Sequence, residues 1–158
     1  LYLSNGLFGG NVYGLIDSYL PPKIIHFDKY NDKKDFEIEN WIQDYDLAIA
    51  ESKKMKKPIF IDFTGYTCTN CRWMEVNIFV DKRVEELFSN FILLKLYTDA
   101  GPRHKEYRKM EIDRYGTAAL PFYVILDSDE NELARFHGMD TDINKFINFL
   151  ASSLQSRL

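Results

Sequence analysis

The sequence predicts an α/β fold with a mixed central sheet, helices on both faces of that sheet and an antiparallel C-terminal hairpin. Two observations lead to this fold class. Short apolar runs alternate with helical patterns along most of the chain, which is typical of parallel strands joined by helical crossovers. Near the C-terminus two strand-like runs follow each other across a turn, which is typical of a hairpin.

The predicted elements run in the order β-α-β-α-β-α-β-β-α. The first strand is 23–30, "KIIHFDKY". A helix follows from about Asp35 to Met55, because apolar side chains recur there at helical spacing, and Asp35 or Asp32 is placed to cap it. The next run, "IFIDF", is too apolar for a half-exposed strand, so we expect it at the centre of the sheet.

The rest of the chain supplies the remaining elements. A second helix is predicted over 73–88, and a buried strand, "FILLKLYTD", starts at Phe91. A charged helix over 103–115 precedes Gly116, which suits a helix C-terminus. The runs "PFYVILD" and "ELARFHG" form the hairpin across the turn "DSDEN", and an amphipathic helix ends the domain.

Length and charge narrow the class of protein. The chain has 158 residues, the size of one domain, and 46% of them are hydrophobic, which suffices for a core. Its 20 basic and 24 acidic side chains give a net charge of −4, so we expect no nucleic-acid partner.

The N-terminal segment differs in composition from the rest. Residues 1–22 are rich in Gly, Leu and Tyr and end in two prolines, so we interpret them as an N-terminal arm or linker and 23–158 as the folded domain. A frayed terminal extension is the alternative. No run approaches the roughly 18 apolar residues of a membrane span. Because the sequence begins with Leu and lacks a basic segment before an apolar one, we expect a processed or excised piece of a longer chain.

Both cysteines lie in the stretch "GYTCTNC", where a buried strand gives way to a helix. The unpaired N–H groups and partial positive charge of a helix N-terminus favour a thiolate at Cys68. Cys71 lies one turn further on, on the same side, where it can close a disulfide and release a bound partner. We therefore predict that Cys68 is the attacking thiol and Cys71 the resolving thiol.

Three other uses of the cysteine pair remain open. A structural zinc site needs four ligands, and the chain has only 3 histidines, none of them paired at ligand spacing. A structural disulfide across two residues closes a loop too small to gain much loop entropy. The thiols could also be incidental core residues. Their place at a strand–helix junction favours a working dithiol that needs neither a metal nor another cofactor.

Three segments resemble the thioredoxin family, and in particular the C-terminal thioredoxin-like domain of DsbD-type thiol:disulfide interchange proteins. They are "KKPIFIDFTGYTCTNCRWMEVNIF", "YGTAALPFYVILD" and "GMDTDINKFINFL". The resemblance runs from about Lys23 to Leu150 and implies a thioredoxin-like fold for this part of the chain. The sequence departs from the family at Thr67, where Trp is usual before the first cysteine. The stretch 97–114 either covers one side of the site or is a solvated helix.

The resemblance implies three further site residues. Asp62 would shuttle protons to and from Cys71, and its carboxylate is costly in an apolar strand unless paired. Glu75, on the same helix face as Cys71, would raise the thiol pKa by repulsion. Pro121 would be a cis-proline that faces the cysteines. Each has a structural alternative: Asp62 facing outward, Glu75 merely exposed on a helix, and an ordinary trans Pro121.

These influences on Cys68 oppose one another. A helix N-terminus stabilises a thiolate by about 0.3–1 kcal/mol, which is less than one pKa unit, and two nearby carboxylates work against it. We therefore predict that Cys68 is not strongly acidic.

The resemblance implies a protein dithiol–disulfide oxidoreductase in the bacterial periplasm. A membrane-embedded domain of the same or a partner protein would donate electrons, and periplasmic proteins with disulfides would accept them. The arm 1–22 would connect the domain to the last membrane helix and so tether it to the inner membrane. The alternatives are a free-standing thioredoxin-like reductant, for example one serving cytochrome c maturation, and a non-catalytic module that binds a client or a metal ion.

Overall fold

The computed structural model describes residues 41–155, which form an α/β domain with a mixed sheet. The strands are β1 Trp41–Ile42, β2 Ile59–Thr64, β3 Ile92–Tyr97, β4 Phe122–Leu126 and β5 Glu132–His137. The α-helices are α1 Tyr45–Met55, α2 Thr69–Met74, α3 Lys82–Phe88, α4 His104–Tyr115 and α5 Ile143–Gln155, and a π-helical segment, Glu75–Phe79, directly follows α2. The arm 1–22, the strand 23–30 and the helix start at Asp35 were predicted for residues outside this described part.

Within residues 41–155 the sheet has five strands in the order β1-β3-β2-β4-β5. Strands β1, β3 and β2 run parallel to one another, whereas β4 is antiparallel to β2 and β5 is antiparallel to β4. The predicted mixed sheet and its antiparallel C-terminal hairpin are therefore confirmed. The central position of β2 is confirmed as well, since all six of its residues are buried.

Side-chain alternation along β2 divides the core into two halves. Ile59, Ile61 and Phe63 point to the face that packs on α1 and α4. Phe60 points to the opposite face, which packs on α2, α3 and α5, and its ring lies among other aromatic rings there. Helices cover both faces of the sheet, as predicted. Between residues 41 and 155 no helix is both long and apolar enough to span a membrane.

The start of α1 differs from the sequence prediction. We expected one helix to run from about Asp35, but Trp41–Ile42 forms strand β1 and pairs with Leu93 and Leu94 of β3. The helix begins only at Tyr45, after Asp44, whose extended backbone and side-chain acceptor cap the first turn. Pairing with the sheet thus overrides the helical spacing of these apolar residues.

The predicted helix over 73–88 is divided into three parts. Helix α2 begins at Thr69, and the chain continues as the π-helical segment to Phe79. Asp81 then adopts an extended backbone and accepts the N–H of Arg83, so that α3 starts as a separate helix. The C-terminus of α4 follows the prediction, since Gly116 occupies the left-handed region at φ 74°.

Candidate active site

The two cysteines lie where β2 leads into α2. Cys68 is the N-cap of α2, and its Sγ accepts the backbone N–H of Cys71 at 3.2 Å. The two residues form a disulfide with an S–S distance of 2.01 Å. Cys68 is half-buried, whereas Cys71 is 1% exposed. Cys68 is therefore the more exposed of the two cysteines.

Asp62 is a buried carboxyl group on the central strand. It is 1% exposed and points to the same sheet face as Phe60, towards the layer that contains α2. Within the described residues neither of its oxygens has a hydrogen-bond partner. Desolvation raises the pKa of Asp62 to about 7; the charge of Lys95 opposes this rise, Glu75 adds to it, and Arg72 opposes it. Asp62 therefore does not face outward, and it changes its protonation state near neutral pH.

Glu75 is the first residue of the π-helical segment and is held by two cations. Its Oε1 lies 2.9 Å from Nζ of Lys95, and its Oε2 lies 2.9 Å from Nη1 of Arg72. Glu75 is 8% exposed, so the alternative in which it is merely exposed on a helix does not hold. Lys95 also lies 4.8 Å from the ring centroid of Trp41. Two nearby positive charges therefore offset the negative charge of Glu75.

A cavity lies beside this cluster of charges. Its volume is about 280 Å³, and its lining includes Arg72, Glu75 and Lys95 together with the aromatic side chains of Trp41 and Tyr97. The charged groups that act on Asp62 thus line a space between the sheet and the π-helical segment.

The peptide bond between Leu120 and Pro121 is cis, as the sequence analysis predicted. Pro121 is buried, and its carbonyl oxygen accepts the N–H of Gly138 at 2.9 Å. A Cβ on Gly65 would lie 3.1 Å from Cδ1 of Leu120. The cis-proline loop therefore lies directly beside the turn that leads into Cys68.

Asp99 is a site residue that sequence reasoning missed. Its carboxylate accepts the N–H of Tyr66 at 2.9 Å, and the N–H and hydroxyl of Thr67, each at 3.0 Å. Desolvation raises the pKa of Asp99, but the hydrogen bonds from Thr67 and Tyr66 outweigh it and hold this pKa below its ordinary value. The signal was available in part, because β2 and β3 were both predicted as buried strands, and parallel strands end at the same edge of a sheet. The stretch 97–114 thus begins against the site and continues as the largely exposed helix α4.

The fold and the disulfide at the start of α2 define a thioredoxin-like domain with a redox-active Cys-x-x-Cys motif. The chain belongs to the thioredoxin-like family, whose sequence profile matches residues 40–128.

Three proteins are similar to this chain. The thiol:disulfide interchange protein DsbD of Campylobacter jejuni (strain RM1221) is 24% identical over 123 residues, which cover 78% of this chain and 21% of that protein. The chain thus spans about a fifth of the length of this curated relative. A thioredoxin from Thermus thermophilus has a TM-score of 0.61 at 19% identity and covers 73% of this chain and 86% of its own. The reduced C-terminal domain of DsbD from Neisseria meningitidis has a TM-score of 0.57 at 19% identity, and the match covers 68% of this chain and 92% of that domain.

The two solved structures show the same fold, and the similarity to DsbD adds the class of chemistry. Together with the family match and the Cys68–Cys71 disulfide, they support a DsbD-type thioredoxin-like domain and a thiol:disulfide oxidoreductase.

Proposed function

We propose that this chain is a protein-disulfide reductase that passes electrons from a membrane-embedded partner domain to periplasmic protein disulfides. The observation that carries the proposal is the Cys68–Cys71 disulfide at the start of α2, in which Cys68 is half-buried and Cys71 is almost fully buried. This difference in exposure supports an attacking role for Cys68 and a resolving role for Cys71.

The reaction moves two electrons. The thiolate of Cys68 attacks one sulfur of the client disulfide, forms a mixed disulfide and releases the other client sulfur as a thiolate. The thiolate of Cys71 then attacks Cys68, which breaks the mixed disulfide and closes the Cys68–Cys71 disulfide. The client leaves as a dithiol, and a dithiol of the donor domain reduces the pair again by the same exchange.

Asp62 is proposed as the group that takes the proton of Cys71 before the resolving step. A thiol must lose its proton to attack, and Cys71 is shielded from the water that would otherwise accept it. A pKa of about 7 suits Asp62 to accept and return a proton at neutral pH. Its burial on the sheet face that carries α2 supports this role.

Pro121 and Glu75 are proposed to serve the same site in other ways. Proline lacks an N–H, and the backbone before Pro121 runs beside the dithiol turn, where it can pair with the main chain of a client. Glu75 is proposed to raise the thiol pKa, to the extent that its charge is not offset by Arg72 and Lys95.

Partners and location are proposed from the similarity to DsbD. The donor is a membrane-embedded domain of the same or a partner protein, and the acceptors are periplasmic proteins with disulfides. Residues 1–22 are proposed as the linker that tethers the domain, 23–158, to the bacterial inner membrane.

The proposal is tested by trapping clients. A Cys71→Ser chain, expressed in its native compartment, should accumulate mixed disulfides at Cys68 that dithiothreitol releases, because the resolving thiol is missing. The matched control is Cys68→Ser, which keeps one thiol but lacks the exposed one and should trap almost nothing. Equal trapping by both variants, or trapping by neither, would contradict the proposal. A reduced chain that takes up zinc tightly but exchanges with no disulfide would instead indicate a metal-binding module.

A further inference from the structure

The turn that leads into the dithiol is held by the segment that follows β3. Strands β2 and β3 are parallel, and Thr64 pairs with Tyr97, so the segments after both strands meet at one edge of the sheet. There the carboxylate of Asp99 accepts the three hydrogen bonds from Tyr66 and Thr67 described above. Two of the donors are backbone N–H groups, so these bonds fix the path of the main chain immediately before Cys68. Hydrogen bonds to a charged acceptor are stronger than neutral ones.

This contact requires the glycine at position 65. A Cβ on Gly65 would lie 2.8 Å from Oδ2 of Asp99, closer than real Cβ atoms approach an oxygen, and 3.1 Å from Cδ1 of Leu120. The absence of a side chain at Gly65 therefore lets the Asp99 carboxylate reach the turn beside the cis-proline loop.

The side chain of Tyr66 is supported on the protein side and open to solvent. Its ring stacks on the ring of Tyr97, with centroids 4.0 Å apart and planes 12° from parallel. Gly101, at φ 89°, also lies against the ring, since a Cβ there would be 3.4 Å from it. Tyr66 nevertheless remains 54% exposed.

We propose that Tyr66 is a specificity-determining contact for the polypeptide around a client disulfide, and that Asp99 is the residue that positions it. A ring that is already fixed loses little conformational entropy when a partner covers its open face, and an aromatic surface suits a protein segment. Tyr66 precedes Cys68 by two residues, so a polypeptide in reaction with Cys68 passes close to the ring. The inference rests on the proposed function and adds which residues favour polypeptide disulfides over small ones.

The test compares a polypeptide disulfide with a small one. The full-length reduced chain is mixed with oxidised insulin or with glutathione disulfide, and the second-order rate constant of its oxidation is measured for each. Tyr66→Ala should slow the reaction with insulin by about tenfold, equivalent to about 1.4 kcal/mol, and slow the reaction with glutathione disulfide by a clearly smaller factor. Tyr66→Phe should react with insulin at close to the unaltered rate, because the ring remains. Leu47→Ala is the matched control, since Leu47 is an exposed apolar residue (52%) on α1, and it should change neither rate.

The positioning role of Asp99 is tested by a double-mutant cycle. Asp99→Asn keeps the shape of the side chain but replaces one acceptor oxygen by an NH₂ group, which cannot accept a hydrogen bond from Tyr66 or Thr67. The turn is then held less firmly, so this variant should also react more slowly with insulin. If Asp99 acts through Tyr66, the double variant Asp99→Asn/Tyr66→Ala should be no slower than Tyr66→Ala alone. Thr67→Val removes one of the three hydrogen bonds and supplies a milder variant in case Asp99→Asn does not fold.

Each contrary outcome has a distinct meaning. Equal slowing of insulin and glutathione disulfide by Tyr66→Ala would overturn the specificity role while leaving the proposed function intact. Additive losses in the cycle would overturn the positioning role of Asp99. An unaltered chain that reduces neither substrate would overturn the proposed function together with this inference.

Discussion

Replacing Asp62 by Asn should raise the free energy of unfolding relative to the unaltered chain. This gain should be greater at pH 8 than at pH 4. The pKa of Asp62 is about 7 in the folded domain, against an ordinary value of 3.8, because burial disfavours the ionised form. Between these two values the folded state holds a proton that the unfolded state has released. The free energy of unfolding therefore falls as the pH rises from about 4 to about 7 and stays low above that range.

The size of this effect follows from the difference in pKa. The pKa of Asp62 in the folded domain is about three units above its ordinary value, and each unit corresponds to about 1.36 kcal/mol. The unaltered chain therefore loses about 4 kcal/mol of unfolding free energy by pH 8. Asn cannot ionise and fills nearly the same volume. The gain in unfolding free energy on Asp62→Asn should thus be about 4 kcal/mol greater at pH 8 than at pH 4. This is a large fraction of the total stability of an ordinary domain.

The assay is denaturant unfolding of the oxidised chain at several pH values between 4 and 8. Glu111 provides the matched control, because it is fully buried and desolvation likewise raises its pKa to about 7. Glu111→Gln should remove its own share of the pH dependence and leave the share of Asp62 in place. A difference between Asp62→Asn and the unaltered chain that stays constant over this pH range would refute the argument that Asp62 is buried and ionises near neutral pH.

Three further predictions follow from the packing and charges of the site. Lys95→Met removes a positive charge that lowers the pKa of Asp62, so the pKa of Asp62 should rise in this variant. An NMR titration of the Asp62 carboxyl group measures it, and a lower pKa than in the unaltered chain would contradict the prediction. Phe60→Ala should lower the unfolding free energy at pH 7 by about 3–5 kcal/mol, because the ring is fully buried among other rings; a loss under about 1 kcal/mol in denaturant would refute the assigned packing. Gly65→Ala should lower the unfolding free energy by about 1–3 kcal/mol, because the new Cβ clashes with Asp99. This loss should be smaller when Asp99 is also replaced by Ala, which a double-mutant cycle of unfolding free energies measures.

The sequence predicts the centre of this fold better than its edge. Strand β2 is apolar on both faces, so its place at the middle of the sheet follows from composition alone. Strand β1 has only two residues, which is too short to show a strand period, and Trp41 and Ile42 also continue the helical spacing of α1. Only the pairing with β3 decides between strand and helix there, and a single sequence does not supply that partner.

The site shows the same division between local and distant contacts. The cysteines, Asp62 and Glu75 lie within 14 positions of one another in the sequence, so local motif and helix spacing bring them together. Asp99 contacts the turn across 32 and 33 positions, and Lys95 reaches Glu75 across 20. Both belong to β3 or the segment after it, and they meet the site only through the register of β3 on β2. A hint existed at Lys95, which interrupts an apolar strand opposite Asp62.

The charges around the dithiol bear on the prediction that Cys68 is not strongly acidic. Arg72 and Lys95 together carry two positive charges against the one negative charge of Glu75, so the cluster is net positive while Asp62 is protonated. Once the pH passes about 7, Asp62 ionises and the cluster becomes neutral. A thiol of ordinary acidity titrates above that pH. When Cys68 loses its proton the cluster therefore contributes little net charge, and the remaining influence is the N-terminus of α2, which is worth less than about one pKa unit. On this reasoning the two cations offset the two carboxylates, and it remains our prediction that the thiolate at Cys68 is only modestly stabilised.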